Sequence, residues 1–131
     1  RSYVDSNQGL HIRLADKDVA DLLGKMRIER LHFAWDNPAE DLRPQFERFS
    51  HWYRRKDPAK KGVYVLTNFN STLEEDLARV YALRDLGYSP YVMIYNKDQA
   101  PQEVRYLQRW CNNRLIFKAQ PDFSKYDPKR G

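Results

Sequence analysis

Apolar positions along this chain recur first with the period of a strand and then with that of a helix, over and over. Leu10, Ile12 and Leu14 alternate with Gly9, His11 and Arg13, which predicts a strand. Val19, Leu22, Leu23 and Met26 then fall at i, i+3, i+4 and i+7, one face of a helix that Asp16 can cap. Leu31-His32-Phe33-Ala34-Trp35 predicts a second strand, stopped by Asp36-Asn37-Pro38. Leu42, Phe46, Phe49 and Tyr53 form the stripe of the next helix, with Pro44 tolerated in its first turn. Gly62 opens a third strand, Val63-Tyr64-Val65-Leu66-Thr67. Ser71 and Glu74 have capping-box spacing, Leu73, Leu77 and Val80 continue as a buried stripe, and Gly87 suits a helix C-cap. Tyr91-Val92-Met93-Ile94-Tyr95 predicts a fourth strand. Pro101 starts a helix bearing Val104, Leu107 and either Trp110 or Cys111. Leu115-Ile116-Phe117 predicts a short fifth strand, followed by an irregular tail from Pro121.

Strand and helix alternating in this way predict an α/β fold: a partial (β/α) barrel-like parallel sheet of about five strands, with helices on its outer face. Residues 1–131 are read as one α/β domain. In such folds ligands bind beyond the C-terminal ends of the strands. That rule points to Asp36 and Asn37, to Thr67, Asn68 and Asn70, and to Asn96, Lys97 and Asp98. Asn37 and Ser71 equally suit turns and helix caps, whereas Asp36 and Asn68 stand closer to the strand ends. The polar halves of the first two alternating strands, His11, Arg13, His32 and Asp36, face the inside of the barrel. They line a wet, ligand-filled lumen or satisfy one another in a local ion-pair network.

Composition narrows the classes. Hydrophobic residues make up 41% and charged residues 31%, the balance of a soluble globular protein. No apolar run approaches the roughly 20 residues of a membrane span, and no secretory signal pattern opens the chain. The N-terminus has no initiator Met, which predicts a piece of a longer protein. Cys111 is the only cysteine, so an internal disulfide and a cysteine-rich metal site are excluded and a cytoplasmic setting is favoured. His11, His32, Asp36 and Cys111 come from separate units with no ligand spacing, so no metal site is assigned. Glu74, Glu75 and Asp76 complement a helix dipole. The net charge of +5 suits a polyanion, but the charge is spread out and reads first as a solvated surface.

Three segments together resemble the radical-SAM enzyme family. Val4 to Leu14 resembles one barrel strand, with Asp18-Val19-Ala20-Asp21-Leu22-Leu23 in the helix that follows. Arg30-Leu31-His32-Phe33-Ala34-Trp35-Asp36-Asn37 looks like the next strand, and Gly62 to Asp76 is similar to the strand and helix start that carry a Gly-rich motif. The match spans nearly the whole chain and is to the C-terminal portion of the barrel, as in uncharacterised bacterial and prophage members. The resemblance implies S-adenosyl-L-methionine (SAM) and a 4Fe–4S cluster in the full-length protein, with this piece inactive alone. It places SAM contacts at Asp36, Asn37, Asn68 and Asn70, and substrate contacts in the lumen at Gln8, His11, Arg13 and His32. The family's CxxxCxxC loop is absent here, and the Glu-Ser-Gly type element appears as Trp35-Asp36-Asn37. The partner implied is the missing N-terminal barrel half, and a fragment exposing sheet edges is expected to self-associate. The alternative is a non-enzymatic module that binds RNA or another polyanion through Arg54, Arg55, Lys56, Lys60 and Lys61, with Trp52 and Tyr53 exposed beside them.

Overall fold

The computed structural model describes residues 11–26 and 28–129. Eight elements follow in chain order: α1 (Lys17–Lys25), β1 (Leu31–Trp35), α2 (Arg43–Trp52), β2 (Lys61–Thr67), α3 (Leu73–Asp85), β3 (Ser89–Ile94), α4 (Gln102–Asn112) and α5 (Arg114–Ala119). The sheet is parallel and its strands lie in sequence order, β1-β2-β3. Phe33 stands beside Val63 and Pro90, and Trp35 beside Val65 and Val92.

That register puts Leu31, Phe33, Trp35, Val63, Val65 and Val92 on one face, and the helices cover it. Phe33 packs edge-on against Phe46 and Phe49 of α2 and against Tyr88, with ring centroids 5.1 to 6.2 Å apart. A neighbouring cluster joins Val92 to Val80 of α3 and to Leu107, Trp110 and Cys111 of α4. Among the described residues no helix packs on the opposite face. There Ala34 stands in register with Tyr64 and Tyr91, and Leu66 with Met93. Tyr91 and Met93 are 44% and 45% exposed. Gly62 belongs to this face: a Cβ there would come within 2.8 Å of the Arg30 guanidinium, which lies over it.

The two edges of the sheet differ. On β3, the backbone N–H of Val92 donates to Asn112 Oδ1 (2.7 Å), and its carbonyl accepts from Asn112 Nδ2 (3.0 Å) and Gln108 Nε2 (3.2 Å). The carboxamide of Asn112 thus imitates a neighbouring strand and closes that edge, one way of protecting a row of ladder groups. No described strand pairs with the outer edge of β1.

Several sequence expectations need correction. Among the described residues the sheet has three strands, and the five expected are not confirmed. Leu115-Ile116-Phe117 lies in α5, because Asn113 Oδ1 accepts from both Leu115 N and Ile116 N and starts a helix there. Three apolar residues carry no period that separates strand from helix. The expected first strand lies partly outside the described residues. Its described end, Ile12–Leu14, is a 3-10 turn with Ile12 buried and Leu14 73% exposed. The capping box is Thr72 with Glu75, one residue later than Ser71 with Glu74. Asp16 does cap α1, accepting from Val19 N at 2.9 Å, and Gly87 adopts φ +90° just past α3, where an L side chain is strained.

Replacing Asn112 with Ala leaves the Val92 N–H without its acceptor, and a loss of about 1–3 kcal/mol is expected. Urea unfolding monitored by tryptophan fluorescence measures it, and an unchanged midpoint would mean that water serves this edge equally well.

Candidate functional site

The C-terminal ends of the three strands form a rim, and a buried ion pair on α3 organises it. Arg79 and Asp76 are 3% and 1% exposed. They stand at i and i+3 and form a salt bridge. Arg79 also donates to the carbonyls of Trp35, the last residue of β1 (2.7 Å), and of Leu66 near the end of β2 (3.0 Å). The second oxygen of Asp76 accepts from the backbone N–H of Asn68 (3.2 Å). One charged pair therefore joins two strand ends, the start of the β2–α3 loop and a helix. A buried charge needs partners, because desolvating it unpaired is expensive; in this pair only Arg79 Nε finds none among the described residues. The capping box of Thr72 and Glu75 fixes the helix start beside it.

The loops hung on this clasp have an uncommon backbone. Asn68, Asn70 and Asn96 all have φ between 49° and 61°, the left-handed region that asparagine tolerates better than most residues. The Asn68 side chain donates to the Tyr95 carbonyl (3.2 Å), tying the loop after β2 to the end of β3. The rings of Phe69 and Tyr95 meet above it, centroids 4.8 Å apart. Both are exposed.

Two adjoining clefts run along the rim. One, of about 240 Å³, is bordered by Asp36, Asn37, Pro38, Leu66, Phe69 and Asn70. The other, of about 290 Å³, has His11, Arg13, Ala34, Asp36 and Asn37 in its wall. Asp36 is exposed and belongs to both. The structure thus brings together Asp36, Asn37 and Asn70, and joins His11 and Arg13 to the same carboxylate from the other side. Arg13 is also paired with Glu40. Asn37 is partly committed, since its Oδ1 accepts from Ala39 N (2.9 Å) in a turn. Asn68 borders neither cleft. His32 lies deeper, on the uncovered sheet face, stacked 5.5 Å from Tyr64. Gln8 lies outside the described residues.

Phe69, Tyr95 and the Asp76–Arg79 clasp were not among the candidates read from the sequence. An arginine next to the apolar position Val80, three residues after an aspartate, is the signal that could have pointed to the clasp. Phe69 sits inside the Asn68–Asn70 loop, where turn chemistry drew attention away from the ring.

The lone thiol is elsewhere. Cys111 is buried between α4 and β3, its Sγ 3.4 Å from the Pro90 carbonyl, and burial pushes its pKa up to about 12. No group of three or more His, Cys, Asp or Glu side chains suited to a metal ion occurs among the described residues. No described helix is long and apolar enough to cross a membrane.

The basic run expected of a nucleic-acid site is largely committed to structure. Lys61 is 1% exposed, bonded to Ser50 Oγ (3.2 Å) and held 4.7 Å over the Tyr88 ring, and desolvation lowers its pKa to about 8. Arg55 donates to the Met26 carbonyl, Lys56 to the carbonyls of Ser50 and His51, and Tyr53 is buried.

No protein-family model, curated protein or solved structure matches this chain.

Replacing Asp76 with Ala strands the Arg79 charge, and the expected cost is about 3–5 kcal/mol in urea unfolding. Asp76→Ala combined with Arg79→Met should cost less than the sum of the two single changes. Additive losses would contradict the clasp.

Proposed function

We propose that this chain is the C-terminal side of a radical-SAM enzyme barrel, supplying rim contacts to SAM and lumen contacts to the substrate. The observation that carries it is the one-sidedness of the sheet. Parallel strands in consecutive order, with helices on one face only, are the arrangement of a barrel wall. A doubly wound sheet would be covered on both faces. The β3 edge is closed by Asn112 and the β1 edge has no described partner strand. Further barrel strands would then join at β1, on the N-terminal side of the chain. The resemblance at residues 4–14, 30–37 and 62–76 agrees with that direction.

The residues present do not fit the iron–sulfur cluster. A single cysteine cannot provide three thiolates, and Cys111 is buried with its sulfur directed at the Pro90 carbonyl. The cluster ligands would lie outside this chain, and no step through the cluster is assigned to it. For SAM the rim offers a better fit: an exposed carboxylate, an amide and an exposed ring border one cleft. Held here, SAM would supply one-electron hydrogen-abstraction chemistry, with its reductant lying outside this chain. In this proposal Asp36 accepts hydrogen bonds from the ribose hydroxyls. Asn37 offers its free NH2 to neighbouring polar groups. Asn70 and Phe69 border the adenosine, and Asn68 holds their loop to β3. His11, Arg13 and His32 orient the substrate, and the aromatic inner face excludes water from it.

The test uses the product of the complete reading frame, reconstituted anaerobically with iron, sulfide and a one-electron reductant. Release of 5′-deoxyadenosine from SAM is expected. Asp36→Ala should lower kcat/KM for SAM by about ten- to a hundredfold, the size of a lost charge-assisted hydrogen bond. A reading frame without a three-cysteine loop upstream of Arg1 would overturn the proposal.

A further inference from the structure

A separate cleft lies at the other end of the strands, where β2 and β3 begin. It holds about 440 Å³, within the range of small-molecule sites and larger than either rim cleft. Its floor and walls are mainly apolar, from Pro58, Tyr88, Cys111, Phe117 and Pro121. Tyr88 is held in place from below by donating its hydroxyl to the Phe46 carbonyl (2.7 Å). Three cations border this apolar surface: Arg84, Arg114 and Lys118.

The cations are of two kinds. Arg84 is fixed in advance, lying 4.6 Å over the Tyr81 ring and donating to the Pro121 carbonyl (2.6 Å) and to Asp85 (3.3 Å). Arg114 and Lys118 project from α5 as exposed side chains, and among the described residues neither forms an ion pair. The one carboxylate in the lining, Asp57, is committed to a turn, accepting from Ala59 N (3.0 Å). Arg84 is already paired with Asp85, so with Asp57 the three cations leave one positive charge in excess, carried by the unpaired Arg114 and Lys118, which suits an anion such as a phosphate monoester. Arginine favours phosphate because its planar fork can meet two oxygens at once. The apolar floor adds a place for a flat uncharged body, and water excluded by that body strengthens the ionic contacts.

We propose that this cleft binds a small phosphate monoester with a flat apolar body, its phosphate held by Arg84, Arg114 and Lys118 and its body lying on Phe117 and Pro121. The cleft is remote from the rim, so the proposal stands or falls independently of the function assigned there.

The test is a titration of the 15N-labelled chain with adenosine monophosphate, followed by NMR. Saturable shifts are expected for the amides of Ala59, Ser89 and residues 114–118, with half-saturation below about 1 mM. The double variant R114E/K118E changes two exposed side chains, so the rest of its spectrum should be unmoved. Its affinity should fall by at least about tenfold, the effect of losing charge-assisted hydrogen bonds. Inorganic phosphate has the charge without the flat body and should bind the parent chain at least about tenfold more weakly. Three results would each overturn the proposal: no saturable shift of these amides up to about 10 mM ligand, equal affinity in the double variant, or equal affinity for inorganic phosphate.

Discussion

The guanidinium of Arg79 is the constraint on which the rim depends. It is buried, so its donors turn to protein acceptors, and its two terminal nitrogens reach the Trp35 and Leu66 carbonyls and the Asp76 carboxylate. The carboxylate in turn holds the backbone of Asn68. Where Asp36 and Asn70 stand relative to one another therefore follows from a single ion pair. Apolar packing alone would hold the sheet against the helices without specifying the loops that leave it. Buried ion pairs are weak evidence for net stability, yet removing one partner is costly. Here the geometry the pair imposes on two loops is the more informative consequence.

A second constraint is the asymmetry of the sheet. Its covered face carries Phe33, Trp35, Val63, Val65 and Val92, which the helices bury. Its other face carries His32, Tyr64, Tyr91 and Met93, neither charged throughout like a solvated surface nor covered like a core. Arg30 fills the space over Gly62 on that face. Aromatic rings joined in a row, Tyr64 to Tyr91 at 5.8 Å and His32 to Tyr64 at 5.5 Å, form a continuous band across it. The edges differ as well: Asn112 covers the edge at β3, while no described strand pairs with the outer edge of β1.

Much of this was legible in the sequence, for identifiable reasons. The strands Leu31–Trp35 and Lys61–Thr67 and the helix stripe of Phe46 and Phe49 are written in periods long enough to be unambiguous. Asp36 and Asn70 were reachable because a parallel sheet delivers strand ends to one rim. Short segments failed. Leu115-Ile116-Phe117 has no period of its own, and the decision between strand and helix came from Asn113, a side chain outside it. Ile12–Leu14 alternates in sequence but turns in space, burying Ile12 against α2 while Arg13 reaches Glu40. The clasp was hidden for a different reason. Asp76 in a first helical turn has a sufficient local explanation, and only the tertiary fold shows that its partner also holds two strand ends.

The central claim is that this sheet continues past β1 as the wall of a larger barrel. It is tested most directly by amide hydrogen exchange along Leu31–Trp35, compared between this chain and the product of the complete reading frame. The account predicts that β1 amides facing away from β2 are more protected in the complete polypeptide than in this chain, while the Val92 amide is protected equally in both. Outward β1 amides that exchange equally fast in both would contradict it, because the sheet would then end at β1 as it does at β3.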